Sequence, residues 1–114
     1  MSGVSDETWR LLKEKLVLAA LWSKEQNESL RRSARRLLSG YRWSEPVHQI
    51  VFELVMKAPL SRRDILKSGL PALLTRRGFP DYDLSWLSTE VSSEQAIASL
   101  RELAGQTRHH DRTP

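Results

Sequence analysis

Residues 16–22 read Leu-Val-Leu-Ala-Ala-Leu-Trp and form the longest uninterrupted apolar run of the chain. A run of this length covers nearly two turns of an α-helix, so its apolar surface is not confined to one stripe. Such a helix is buried on several sides. The run therefore predicts a central core helix or, alternatively, a surface through which the protein contacts a second copy or another protein. It is too short to cross a bilayer, which takes about 20 apolar residues.

A second apolar segment, at 45–58, has a full helical stripe, and it also carries apolar side chains off that stripe. The stripe follows the spacing i, i+3, i+4, i+7, i+8 and i+11, and consists of Val47, Ile50, Val51, Leu54, Val55 and Ala58. The off-stripe side chains extend the apolar surface beyond one face, as in residues 16–22. Together the two segments give the candidates for a dimer or partner interface, which are Leu18, Leu21, Trp22, Phe52 and Met56.

Helix signals continue along the rest of the chain. Helical spacing, serine caps and first-turn prolines predict helices at 6–22, 24–39, 45–58, 62–68, 71–77 and 93–104, with a possible turn at 81–87. The first two could be a single helix. Helix ends are expected at the glycines that follow helical patterns, which are Gly40, Gly69, Gly78 and Gly105. No stretch alternates with period two, so we expect an all-α protein, a compact bundle of about five to six short helices without a sheet.

Length and composition set further bounds. The 114 residues predict a single domain at 1–105 followed by a disordered tail at 106–114, which is polar and has no period. The absence of cysteine excludes disulfides, thiol catalysis and cysteine-based zinc sites. The first ten residues lack the basic and apolar regions of a secretory signal, so we expect a cytoplasmic protein.

Charge is distributed unevenly. The formal net charge is +4, yet residues 31–80 alone carry eleven Lys and Arg against three Asp and Glu, between two mildly acidic ends. Four Arg-Arg pairs lie in this basic middle, at 31–32, 35–36, 62–63 and 76–77. A field of this kind attracts anionic partners but specifies neither a fold nor a reaction.

The four arginine pairs occupy different helix positions, and each position has its own explanation. On a helical wheel the first two pairs share one face, which is typical of a solvated helix face and also of a surface that contacts an anion. Arg76 and Arg77 precede Gly78 at a helix C-terminus, where the helix dipole favours cations. Arg62 and Arg63 follow Ser61 at an N-terminus, where cations are disfavoured unless Asp64 or an anionic partner offsets them. The candidate contacts to an anion or a nucleic acid are Arg31, Arg32, Arg35, Arg36, Arg62 and Arg63.

Two features bear on nucleic-acid binding. Residues 60–78 resemble a helix-turn-helix, with a turn at Ser68-Gly69-Leu70, but the second helix begins with apolar residues that cannot hydrogen-bond base edges. A plain helical hairpin is the favoured interpretation. Tyr41-Arg42-Trp43 has the composition of a stacking site for single-stranded nucleic acid, although a loop packed on the core explains it as well.

No catalytic or metal-binding motif is present. Asp81-x-Asp83-x-Ser85 starts like a calcium loop but lacks the glycine and the glutamate that such a loop needs at its sixth and twelfth positions. His109-His110-Asp111 has no fixed geometry that would make it a metal site. His48 lies in a predicted helix without a catalytic partner nearby in sequence. We therefore expect a protein that is not an enzyme and that needs no cofactor and no metal.

One segment carries a resemblance. Residues 46–54, Pro-Val-His-Gln-Ile-Val-Phe-Glu-Leu, resemble a helix that recurs in the all-helical N-terminal domain of bacterial replicative helicases, where a Pro-x-His-Arg/Gln-x-Ile-Phe core follows an aromatic-containing loop. The helicase-binding domain of bacterial primases is similar in architecture. Residues 16–56 match loosely, no ATPase segment follows, and the region after Leu60 does not match. The resemblance implies a non-catalytic interaction module in which His48 and Phe52 are core residues.

The sequence thus favours a non-enzymatic helical module for protein–protein interaction, an adaptor whose partner is another protein or a second copy of itself. The expected partner is another protein or a second copy of the chain, and no membrane is involved. The alternative is a nucleic-acid-binding protein that uses the basic middle at 31–77. The feature of the fold that bears most on this choice is whether the four arginine pairs converge on one face or scatter.

Overall fold

The computed structural model describes residues 6–23 and 28–112. This part of the chain contains five α-helices and no strand: α1 (Asp6–Trp22), α2 (Glu28–Leu37), α3 (Pro46–Lys57), α4 (Arg63–Arg76) and α5 (Ser93–Arg112). Short 3-10 helices lie at Leu60–Arg62 and Ser85–Ser88. The prediction of an all-α fold is confirmed. Whether 6–39 is one helix or two, and whether Ser23 and Gln26 form a capping box, depends on residues outside the described part.

Helix α1 lies at the centre of the bundle. It packs against α5, against α3 and against the 3-10 helix at Ser85–Ser88, while α2 packs on α5. The apolar run is covered on all sides by these neighbours, and from Val17 to Trp22 every residue is buried. The indole Nε1 of Trp22 donates a hydrogen bond to the carbonyl of Val51, 3.2 Å away, which ties α1 to α3. The structure therefore supports the core interpretation of this run.

The interface candidates are corrected by this arrangement. Leu18, Leu21 and Trp22 are buried within one chain, so a partner cannot contact them. Met56 is also buried, and Phe52 is half-buried with its ring 4.9 Å from the ring of Trp43. Among the described residues the exposed large apolar side chains lie on three different helices, and they are Leu12, Ile65 and Ile97.

Two of the four glycines end helices as predicted. Gly40 and Gly78 have φ angles of 77° and 96°, in the left-handed region that favours glycine. At the second of these, the amide of Phe79 donates to the carbonyl of Leu74 at 2.8 Å, which closes the C-terminal end of α4. Gly69 and Gly105 lie inside helices instead, and the prediction of helix ends there is wrong.

The predicted helices at 62–68 and 71–77 are one continuous helix, so the favoured helical hairpin and the helix-turn-helix are both wrong. Pro71 cannot donate a backbone hydrogen bond, yet α4 runs through it and through Gly69. Leu70 and Leu74 on either side of the proline are buried in the core, and this packing outweighs the weak local propensity. Helix α5 likewise continues past Gly105 to Arg112, beyond the end predicted at 104.

Candidate functional site

Helix α2 presents a basic surface to solvent. Leu30 and Ala34 on its inner side are buried against the core, which orients the opposite side outward. Arg32, Arg35 and Arg36 are exposed on that outer side. The alternation of Arg-Arg pairs with apolar residues in the sequence thus produces a strongly amphipathic helix, as predicted.

Arg31 and Arg35 of α2 also hold the fold together. The side chain of Arg31 and that of Arg35 both donate from Nη2 to the backbone carbonyl of Met56, with a distance of 3.1 Å for Arg35. This carbonyl lies in the last turn of α3, where unpaired carbonyls and the helix dipole attract cations. Arg31 also lies 3.4 Å from the carboxylate of Glu28 one turn earlier. The structure therefore gives Arg31 and Arg35 a role in capping α3.

Arg63 differs from its neighbour Arg62. Arg62 is exposed, as predicted for a cation at a helix start, whereas Arg63 is only 2% exposed. All three guanidinium nitrogens of Arg63 lack a hydrogen-bond partner in the described part of the chain. Burial disfavours the charged form and the nearby charge of Arg31 adds to this, so the pKa of Arg63 is lowered, with a weaker opposing effect from Glu28. The sequence pattern gives no sign that one member of this pair is buried.

Three of the four arginine pairs converge at one end of the bundle. The contacts of Arg31 and Arg35 with Met56 place α2 beside the C-terminal end of α3, and α4 begins at Arg63, only six residues after that end. We call this set of six residues the basic surface: Arg31, Arg32, Arg35, Arg36, Arg62 and Arg63. The fourth pair is remote from it, because α4 extends for 14 residues, about 20 Å, before it reaches Arg76.

A buried polar network adjoins the opposite end of α3. The carboxylate of Glu14 is fully buried and accepts hydrogen bonds from the Tyr41 hydroxyl at 2.5 Å and from the backbone amide and hydroxyl of Ser44, each at 3.0 Å. His48 Nδ1 lies 2.7 Å from the other carboxylate oxygen. Because Glu14 is on α1 and His48 on α3, this one carboxylate fixes both helices and the 41–45 connection between α2 and α3.

Opposing effects act on the ionisation of Glu14. Burial on its own would raise the pKa of this carboxyl group, but the hydrogen bonds from His48, Tyr41 and Ser44 outweigh it and hold the pKa below its usual value. Burial and the adjacent carboxylate raise the pKa of Tyr41, so its hydroxyl remains a donor. The lowered pKa therefore keeps Glu14 ionised in this network.

The network continues toward the surface through Glu45. His48 Nε2 has no hydrogen-bond partner, and its nearest carboxylate oxygen is that of Glu45 at 3.6 Å. The same oxygen accepts a hydrogen bond of 2.6 Å from the Tyr82 hydroxyl. Although a carboxylate and an imidazole at this spacing occur in acid–base catalysis, Glu14 and His48 are both fully buried, and a substrate would have no access to them. The geometry supports a structural role.

Sequence analysis found His48 but missed its partner. Glu14 lies 34 residues earlier, and in the sequence it is one of several charged residues in the first half of α1. The available signal was its spacing, because Glu14 precedes Val17 and Leu18 by three and four residues and so shares the helix face that α1 buries. A carboxylate at such a position must find partners inside the protein.

Other candidates from the sequence do not form sites. The described side chains include no group of three or more His, Asp or Glu that could hold a metal ion, while those of His109, His110 and Asp111 lie outside the description. Asp83 accepts a hydrogen bond from the backbone amide of Ser85, as in an ordinary turn. Tyr41 is buried and Trp43 is half-buried with its ring 5.0 Å from that of Tyr41. Of the helices in the described ranges, none combines the length and the hydropathy that crossing a membrane takes.

Comparison with known proteins adds no family to these observations: no protein-family model matches the chain, and neither does any of the curated proteins or solved structures with which it was compared.

Proposed function

We propose that this protein is a non-enzymatic interaction module that binds an acidic segment of a protein partner on its basic surface. The observation that supports the proposal is the convergence of three arginine pairs from α2 and the start of α4 at one end of the bundle. A concentrated cationic surface steers anionic partners and fixes how they dock.

The basic surface is held rigidly, and this favours recognition over nonspecific attraction. Leu30 and Ala34 anchor α2 to the core, and Arg31 and Arg35 are oriented by the Met56 carbonyl. The exposed arginines between them are therefore presented from a fixed helix. Less conformational entropy is lost on binding when the contact residues are already ordered.

A nucleic acid is the second candidate, because the same convergence of cations also suits phosphates. The fold offers little for base recognition, however. α4 is continuous and provides no helix-turn-helix, and the Tyr41 and Trp43 rings pack against each other and are not free to stack on bases. These contacts make the acidic protein segment the better-supported partner.

Binding of labelled probes tests the proposal. The probes are a peptide of twelve residues rich in Glu and Asp, and single-stranded and duplex DNA of similar total charge, each followed by fluorescence anisotropy at several salt concentrations. We expect the peptide to bind more tightly than either DNA. If DNA binds more tightly, with an affinity that falls steeply with salt, the nucleic-acid candidate replaces the proposal.

The chain offers a matched pair of variants for this measurement. Replacing Arg32 and Arg36 by Glu reverses charge on the basic surface and leaves the two arginines that cap α3 unchanged. Replacing Arg76 and Arg77 by Glu makes the same charge change about 20 Å away along α4. We expect the first variant to lose peptide binding and the second to retain most of it. Equal losses would mean that net charge alone is responsible.

A further inference from the structure

The guanidinium group of Arg63 is unusual among the described charged side chains. It is almost fully buried, and none of its three nitrogens has a hydrogen-bond partner. A guanidinium carries five N–H donors in a planar fork. Native proteins rarely bury such a group without an acceptor, because its hydration is lost and nothing replaces it.

The surroundings of Arg63 do not supply that acceptor. The charge of Arg31 opposes that of Arg63, and the Met56 carbonyl at the end of α3 receives its hydrogen bonds from Arg31 and Arg35. The carboxylate of Glu28 acts on Arg63 only at a distance, lies against Arg31 and is half-exposed. The effect of the Arg31 charge on Arg63 is thus only partly offset by the carboxylate of Glu28.

We propose that Arg63 is the anchor of the basic surface and pairs with the carboxylate of a Glu or Asp side chain inserted by the acidic partner. This inference rests on the proposed function and assigns its central contact. A carboxylate matches the planar fork of a guanidinium with two parallel hydrogen bonds, and Arg31 adds a second positive charge beside it. Hot spots of interfaces are commonly desolvated arginines surrounded by weaker contacts, here the exposed Arg32, Arg35, Arg36 and Arg62.

The depth of Arg63 selects a carboxylate over a nucleic-acid phosphate. The guanidinium is covered, so a ligand has to reach it by displacing the side chains above it. A Glu side chain carries its charge at the end of a narrow stem and can enter such a position. A phosphodiester is flanked by two sugars and stays at the surface, where it would contact the exposed arginines instead.

Two neighbouring substitutions test this inference. Arg63→Met and Arg62→Met remove the same charge at adjacent positions, one buried and one exposed. We expect Arg63→Met to weaken binding of the acidic peptide by about 10- to 100-fold and Arg62→Met by about threefold or less. We also expect the thermal midpoint of ligand-free Arg63→Met to equal or exceed that of the wild type, because an apolar side chain replaces an unpaired buried charge. A lower midpoint would show that Arg63 is structural and would overturn the inference.

The NMR signal of the Arg63 Nε–Hε group gives a direct readout in the wild-type protein. We expect its chemical shift to change when the peptide is added and, in a separate titration, at high concentration of acetate. In both titrations we expect this change at a lower ligand concentration than for the signals of exposed arginines. Peptide binding with equal affinity to wild type and Arg63→Met would overturn the inference and leave the proposed function intact. If the peptide does not bind at all, the proposed function fails, and an Arg63 signal that acetate leaves unchanged would then overturn the inference too. A shift with inorganic phosphate but not with acetate would also contradict it.

Discussion

Glu14 connects three parts of the fold through one carboxylate. Its hydrogen bonds reach the 41–45 connection and α3, and the side chain is fully buried. We expect Glu14→Gln to lower the free energy of unfolding by about 2 kcal/mol, because an amide replaces a charged acceptor of four hydrogen bonds and brings donors that have no acceptor. Urea denaturation measures this loss. Glu7→Gln, at an exposed position of the same helix, is the control and should leave the unfolding midpoint unchanged.

The lowered pKa of Glu14 also predicts how stability depends on pH. The group is deprotonated in the folded protein at pH values where the unfolded chain, with a pKa near its ordinary value of 4.5, already binds a proton. Its contribution is therefore fully present above pH 4.5 and is lost as the pH falls through the lower folded pKa. Below pH 4.5, we expect the urea concentration at the denaturation midpoint to decrease with falling pH more steeply for wild type than for Glu14→Gln. Parallel curves for the two proteins would contradict this assignment.

Single residues show why the candidate site was only partly predictable. The sequence identified all six arginines of the basic surface, because charge and helical spacing are local properties. It did not distinguish Arg62 from Arg63, since which of the two faces the core depends on how the 3-10 helix at Leu60–Arg62 orients α4. The partner of His48 was missed for the same reason: their contact joins residues 34 positions apart.

At the level of helices, α4 shows where local signals and packing disagree. Gly69 and Gly78 both follow helical segments, yet only Gly78 adopts a positive φ angle. Buried Leu70 and Leu74 keep α4 helical past Gly69, whereas past Gly78 the chain turns toward half-buried Phe79. Helix periods and caps were sufficient to predict α1 and α3 and most of α2, because in those elements the local and tertiary preferences agree.

Gly69 inside α4 and Gly78 just past its end give predictions with opposite signs. A Cβ added at Gly69 meets no atom within 4 Å, so Gly69→Ala should raise the free energy of unfolding by about 0.5–1 kcal/mol through lower backbone entropy in the unfolded chain. Gly78→Ala has the same free space but a φ angle of 96°, and we expect it to lower the free energy of unfolding by about 1 kcal/mol. Thermal denaturation of both variants checks this. Two shifts of the same sign would mean that α4 is broken at Gly69.

For the whole molecule, the burial of the apolar run bears on assembly. The side chains that the sequence offered as a dimer interface lie in the core, and the basic surface of one copy repels that of another. We expect sedimentation at micromolar concentration to give the mass of one chain. A wild-type dimer would contradict this expectation, and its dissociation on substitution of Leu12, Ile65 and Ile97 by Ser would identify these side chains as its contact surface.

The position of α1 also has a consequence during synthesis. Its most extensive packing is with α5, and about 70 residues separate the end of α1 from the start of α5. The apolar surface of α1 therefore has no complete cover until α5 has left the ribosome, although α2, α3 and α4 can form earlier. A nascent chain in this interval leaves part of the apolar surface of α1 uncovered, which makes it a substrate for chaperones and prone to aggregate when they are absent.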